Sequence, residues 1–375
     1  MKSTYNINLS YDDNYTAGPD FEGTLPDLAE LNTGLSPATF LGYRVNSTLG
    51  VPAGPLLNSA YIRLYAQLGF DVLTYKTVRT NAFPSHPFPN VRPVETSPGW
   101  YQTVAGGDKP SLYTLPSLDE SQPQLDLSIT NSFGMPSKEP AVWMADVAQA
   151  KAAVRAGQVL AVSVVGTARP GGSLEELAQD FAQAATLAAA AGADIIEANL
   201  SCPNVRSSEG SLYQSPAAVS SVAKALSAAL GSRTPFLLKI GYLEDRALIQ
   251  QVLEAAANAG TAGLAAINTI PAKVYQAEGL AALPGEGRLV SGICGAGIHE
   301  AGLAMTARLL EAREGAGLSS KAFSIVGVGG VMIAEDALTY LKSGADGVQS
   351  GTGAMWNPYL AVELKQLLKS AIPVL

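Results

Sequence analysis

The chain has 375 residues, a formal net charge of -8, 47% apolar residues and only 15% charged ones. It is long enough for one large domain with a substantial core, and an acidic balance without a basic stripe argues against nucleic-acid binding. No run approaches the roughly 18 apolar residues of a membrane span, and the polar segment Met1 to Tyr15 lacks the basic-then-apolar order of a signal peptide, so a soluble, cytoplasmic protein is expected.

Residues 1–45 are polar and rich in Asp, Asn, Pro and Thr, and read as an extension covering one end of the domain. From there, over residues 46–375, short β-rich runs alternate with Ala/Leu-rich helical segments, the order of a parallel α/β sheet. The predicted strands are Thr48–Ala53, Asp71–Val78, Val159–Gly166, Ala193–Asn199, Phe236–Ile240, Gly263–Asn268, Phe323–Val328 and Gly347–Gly351. Eight strands suit a closed (β/α)8 TIM barrel, and the absence of an early GxGxxG loop disfavours a doubly wound open sheet. Predicted helices are Leu174–Ala191, Ala217–Leu230, Asp245–Ala259, Gly302–Ala316 and Ala334–Ser343. The first starts after Ser173, with Glu175 and Glu176 in its opening turn as capping favours. Two connections, Arg79–Ser128 and Pro271–Glu300, exceed what a plain barrel needs. They leave the C-terminal ends of strands two and six, where long loops form lids or binding walls.

Residues suited to chemistry cluster at the predicted strand ends. Gly327-Val328-Gly329-Gly330 and Gly351-Thr352-Gly353 end successive strands; glycines there let backbone N–H groups approach a phosphate, and barrels commonly place a phosphate site after strands seven and eight. Lys76 and Lys239 sit late in apolar strands, so each must face a polar pocket or pair with a charge. Asn131, Asn199, Asn204 and Asn268 place four carboxamides, each donor and acceptor, at loop or strand ends; converging, they would suit a ring of alternating carbonyl and N–H groups. Cys202, in Asn199-Leu-Ser-Cys-Pro-Asn204, is a loop thiol suited to general-base work, at a cost of about 2 kcal/mol for its thiolate unless a cation or dipole helps. Cys294 reads as a packing residue in a glycine-rich segment. No CxxC pair exists among the two cysteines, which disfavours a disulfide framework, an iron–sulfur cluster or a cysteine zinc site. His86 and His299 lack metal-ligand spacing, and Arg79 and Arg92 are candidates for a substrate carboxylate. A non-redox phosphate-binding isomerase or lyase and a non-catalytic binding protein remain open at this level.

Together these pieces resemble the dihydroorotate dehydrogenase family from about Val51 onward, most sharply at Asn-Leu-Ser-Cys-Pro-Asn. The resemblance implies FMN as cofactor. In the soluble class 1 branch this loop carries a cysteine base, and Cys202 points to that branch. By the same resemblance Ala53 and Gly54 form the first flavin-contact turn, Lys76 and Thr77 match the strand-two lysine segment, and Lys239 lies near the flavin N1–O2 edge. Gly329, Gly330, Gly351 and Thr352 match the phosphate cradle, and Asn199, Ile267 and Gly295 complete the cofactor set. Asn131, Gly134 and Met135 match the substrate loop. Lys76, Asn199, Asn204, Asn268 and Thr269 supply further substrate contacts. The implied reaction removes the C5 proton of dihydroorotate with Cys202 and passes hydride from C6 to flavin N5, the electrons then reaching fumarate or a partner electron-transfer subunit. A homodimer is implied as well. The chain departs from the family pattern in Val205-Arg-Ser-Ser-Glu-Gly210, in Cys294 where serine is usual, and in the longer Arg79–Ser128 connection. An FMN enzyme acting on another dihydropyrimidine or cyclic amide is the neighbouring reading.

Overall fold

The computed structural model describes residues 2–102, 109–118, 123–201 and 208–370. Cys202 and Asn204 therefore lie outside the described residues.

The N-terminal extension holds helices α1 (Tyr11–Ala17) and α2 (Leu28–Asn32) and a hairpin of β1 (Ala38–Phe40) and β2 (Tyr43–Val45). Beyond it, β3 (Leu49–Val51), β4 (Val72–Val78), β8 (Val159–Val164), β9 (Ile195–Asn199), β10 (Phe236–Ile240), β11 (Gly263–Ala266), β14 (Ser324–Val328) and β15 (Gly347–Gln349) close into a parallel eight-stranded barrel. All eight coincide with the predicted strands. The reason they are legible is burial on both faces, which turns each into a nearly unbroken apolar run; all seven residues of β4 are buried. Between the strands run α3 (Ser59–Gln67), α4 (Pro140–Ala153), α5 (Leu174–Ala190), α6 (Pro216–Leu230), α7 (Arg246–Asn258), α8 (His299–Gly315) and α9 (Ala334–Lys342), followed by α10 (Thr352–Trp356) and α11 (Leu360–Ser370). Their starts are chemically marked. Ser173 and Glu176 form a reciprocal capping box on α5, and Asp245 accepts from Ala247 N and Leu248 N at the start of α7.

Three helix-to-strand turns share the local sequence Gly-x-Asp: Gly69-Phe-Asp71, Gly192-Ala-Asp194 and Gly344-Ala-Asp346. Each glycine ends its helix in the left-handed region, at φ 91°, 111° and 103°, where a Cβ is disfavoured. Each aspartate then starts a strand and meets a cation, Lys365, Lys151 and Arg313 respectively. These ion pairs ring the end of the barrel where the strands begin.

The extension does not cover one end only, as its composition suggested; it reaches both. Thr4 N donates to Met355 O at 2.9 Å and Tyr11 N to Asn90 Oδ1 at 3.2 Å, near the strand C-termini. The chain then passes α11, where Lys365 Nζ donates to Asn32 Oδ1 at 2.8 Å. It arrives at the opposite end with the hairpin, whose Phe40 and Val45 join Val72, Val159, Ile195 and Leu237 in an apolar plug. Burying such a side chain contributes roughly 1.5–3 kcal/mol, so the plug both stabilises the barrel and closes its floor.

The two long connections are not irregular loops. With flanking residues they form a second sheet in the order β5-β7-β13-β12-β6, from β5 (Val91–Val94), β6 (Ser111–Tyr113), β7 (Ser128–Asn131), β12 (Ile270–Tyr275) and β13 (Val290–Gly295). The sheet stands over the C-terminal ends of the barrel strands as the expected wall.

Candidate active site

A cavity partly open to solvent lies between the barrel mouth and the second sheet. Its lining includes Ala53, Gly54, Lys76, Thr77, Asn131, Gly134, Met135, Asn199, Lys239, Ile267, Asn268, Thr269, Gly295, Gly329, Gly330, Gly351 and Thr352, but neither Arg79 nor Arg92.

Three of the four carboxamides converge. Asn199, last residue of β9, accepts at Oδ1 from Asn268 Nδ2 and from Ser201 N, each at 3.2 Å, and turns its own Nδ2 to Met135 Sδ at 3.7 Å. Asn268 Nδ2 also donates to Ser201 O, and its Oδ1 accepts from Thr269 N at 3.0 Å. Asn131 ends β7, opposite Gly292 of β13, and donates to Cys294 Sγ at 3.3 Å. Cys294 is thus a cavity residue and not mere packing. Burial pushes its thiol up, against the lowering effects of Thr352 and Asn131.

The loop Asn131–Met135 is held from behind by two arginines. Arg79 is fully buried; its Nε donates to Met135 O and its Nη1 to Gly166 O, both at 3.2 Å. Arg288, 4% exposed, donates to the carbonyls of Pro87, Pro89, Pro284 and Ser132. Burial pushes its pKa down to about 10. Arg79 therefore serves backbone carbonyls instead of a substrate carboxylate, and Arg92 is exposed on β5. His86 is half-buried: its Nδ1 lies 3.0 Å from Ser132 Oγ, and its ring covers Gly134, where a Cβ would come within 2.7 Å of it.

At the other end of the cavity, Gly329 and Gly330 have φ of 134° and 65°. A Cβ on Gly330 would approach His299 to 2.5 Å, and the same histidine places Nδ1 3.1 Å from Gly330 O. With Gly351 and the Thr352 hydroxyl they form a cradle in which three of four residues carry no side chain, suited to phosphate oxygens.

The floor is polar and charged. Lys239 and Lys76 are 5% and 7% exposed. Lys239 Nζ donates to Gln349 Oε1 at 3.5 Å, and Gln349 Nε2 to Thr74 Oγ1 at 3.3 Å. Glu197, which the sequence reading passed over, joins them at 2% exposed. Alternation along β9 puts it on the face of Asn199, two residues on, and this was the available signal. Tyr5 also lines the cavity from the extension, its ring edge-on to Phe133 at 5.8 Å; nothing local in the sequence marks it. Buried Oγ1 of Thr269 and Oε2 of Glu197 have no hydrogen-bond partner among the described residues, so the cavity offers polar atoms that a ligand would satisfy.

A family model described as dihydroorotate dehydrogenase matches residues 115–372. A dihydroorotate dehydrogenase of Dictyostelium discoideum is 36% identical over 368 residues, 96% of each chain. A dihydroorotate dehydrogenase (quinone) of Bordetella avium is 25% identical, covering 89% of this chain and 85% of its own. The catalytic subunit of a dihydroorotate dehydrogenase B (NAD(+)) from Alkaliphilus oremlandii is 29% identical over 46% of this chain and 52% of its own. Among solved structures, a DHODH from Eimeria tenella in complex with ferulenol superposes with a TM-score of 0.66 at 17% identity, covering 92% of this chain and 86% of that one. That likeness concerns the fold. No helix among the described residues is long and apolar enough to cross a membrane.

Proposed function

The chain belongs to the dihydroorotate dehydrogenase family, and on that premise we propose that it oxidises dihydroorotate to orotate with FMN as hydride acceptor and Cys202 as base. The family makes it a flavin oxidoreductase acting on CH–CH donors, and dihydroorotate oxidation in pyrimidine synthesis is the family's reaction. The observation that carries the reading is the meeting of Asn131, Asn199 and Asn268 with two buried lysines and a glycine cradle in one cavity.

The residues present fit FMN. Gly329, Gly330, Gly351 and Thr352 would hold its phosphate, Ala53, Gly54, Thr77, Asn199, Ile267 and Gly295 its ring and ribityl chain, and Lys239 the ring edge that becomes electron-rich on reduction. When bound, FMN supplies the hydride acceptor. The protein does the rest. Asn131, Asn199, Asn268, Thr269 and, outside the described residues, Asn204 hold the amide edges of the substrate. Gly134 and Met135 give the loop its turn, and Lys76 faces the substrate carboxylate. Cys202 takes the C5 proton and returns it to solvent after turnover. A cysteine at this position supports the class 1 branch, with fumarate or a partner electron-transfer subunit as acceptor and a homodimeric assembly.

The test is an anaerobic absorbance titration. The purified protein should be yellow, and dihydroorotate should bleach it while dihydrouracil does not. A protein that binds no FMN, or is bleached equally by both, contradicts the reading. Cys202→Ala should lose at least about a hundredfold in the rate of bleaching, the contribution typical of a general base.

A further inference from the structure

Beneath the cavity the barrel axis changes character over one layer. Ile195 and Leu237 belong to the apolar plug; two residues later on the same strands, hence on the same face, stand Glu197 and Lys239. Ser163 of β8 is the register partner of Glu197, and Lys239 that of Asn199. Among the described residues the titratable group that acts on Glu197 is Lys239 from β10; Lys76 from β4 lines the same cavity. Ser163, hydrogen-bonded to Thr77, and Gln349, bonded to Lys239 and Thr74, add neutral polar groups, while β11 and β14 supply Ala265, Val326 and Val328 to the apolar plug. Glu197 Oε2 has no hydrogen-bond partner among the described residues. Burial pushes the Glu197 carboxyl up, against the opposing pulls of Lys239 and Ser163, and pushes the Lys239 ammonium down, against the pull of Glu197. With Glu197 as carboxylate and Lys239 as ammonium, the pair has no net charge. The plug closes the route from below, so a proton from solvent enters through the cavity.

We propose that Glu197 is the proton acceptor coupled to cofactor reduction: when two electrons enter the cavity, its carboxylate takes one proton from solvent while Lys239 remains an ammonium. The inference rests on the flavin reading above. Two electrons and one proton leave the bound cofactor with one added negative charge. A second proton, bonded to Glu197 oxygen, takes the pair from net zero to one positive charge, which offsets it in a low-dielectric site. The electrons come from the substrate or from a chemical reductant, and reoxidation releases the proton by the same path.

The experiment measures the reduction potential of the FMN-loaded protein against pH, using a reference dye at equilibrium; the slope gives protons taken up per two electrons. Two protons are expected for the native chain around neutral pH and one for Glu197→Gln. Equal slopes in the two proteins overturn the proposal. Infrared difference spectra should show a carboxylic-acid C=O band gained on reduction, shifted in D2O and absent in the variant. If the variant fails to retain FMN, the native spectrum decides, and the absence of that band overturns the coupling. A protein that binds flavin and is bleached by dihydroorotate but takes up one proton loses only this inference. One that binds no flavin loses both.

Discussion

Asn199 Oδ1 accepts a hydrogen bond from Asn268 Nδ2 at 3.2 Å, tying the end of β9 to the segment after β11. The bond fixes which way the Asn199 amide faces and so leaves its Nδ2 directed at Met135 and the cavity. A neutral hydrogen bond contributes only about 0.5–1.5 kcal/mol to stability, whereas misplacing a substrate contact by about an ångström can cost a hundredfold in rate. Asn268→Ala should therefore lower kcat/KM for dihydroorotate roughly 10- to 100-fold with little change in urea midpoint. An unchanged kcat/KM would show that the pair does not orient substrate.

Gly330 has φ 65°, and a Cβ there would meet His299 at 2.5 Å. Gly330→Ala is expected to push the His299 backbone and distort the cradle. FMN affinity, read from quenching of its fluorescence, should fall at least about tenfold, a loss of some 1.4 kcal/mol. Gly317, with φ 69° and no atom of the described residues within 4 Å of its would-be Cβ, provides the control: alanine there should cost stability and leave FMN affinity intact.

Asp71 and Lys365 form an ion pair at 2.8 Å with both side chains fully buried. Ser47 Oγ, at 2.6 Å, and Asn46 Nδ2, at 3.2 Å, also donate to the carboxylate. Lys365→Met leaves that carboxylate buried without its cation and should cost roughly 3–5 kcal/mol in unfolding free energy. Replacing both, Asp71→Leu with Lys365→Met, should recover much of the loss. A double variant as unstable as the single one would mean that the pair itself, and not the orphaned charge, supplies the stability.

Burial raises the pKa values of Tyr5, Tyr11, Tyr61, Tyr65, Tyr75 and Tyr340 above the ordinary 10.0. Tyr75 in addition donates to Asp146 Oδ2 at 2.6 Å. The native state keeps these protons where the unfolded chain releases them, so the native state binds more protons. Their stabilisation is fully present below about pH 10 and is lost as pH rises beyond it. In alkaline pH-jump experiments, a phase of tyrosinate absorbance should appear at the rate at which far-UV circular dichroism is lost. Full tyrosinate formation before unfolding contradicts this.

The barrel strands were legible because parallel strands buried on both faces write themselves as apolar runs. The second sheet was not. Its β5 contains Pro93, its β6 has three residues, and β12 begins Ile270-Pro271, so each segment reads locally as loop. Lys76 and Lys239 stood out because a cation in an apolar strand demands explanation. Glu197 carries the same sign, a charge inside the apolar run Ile195-Ile-Glu-Ala-Asn199. Tyr5 reaches the cavity only because the extension folds back over the strand ends, which no local pattern encodes. Arg288 looks like a loop residue until its four carbonyl acceptors are in place.

The second sheet joins segments far apart in sequence: Thr130 and Gly292, hydrogen-bonded within it, are separated by 162 positions. Closing so long a loop is entropically costly and is recovered only once the barrel has brought the segments together. The roof of the pocket should accordingly be the last part of the chain to assemble. A barrel folded without its roof lacks Asn131 and Met135 in place, so acquisition of ligand affinity during refolding marks the completed chain and should lag behind the recovery of secondary structure.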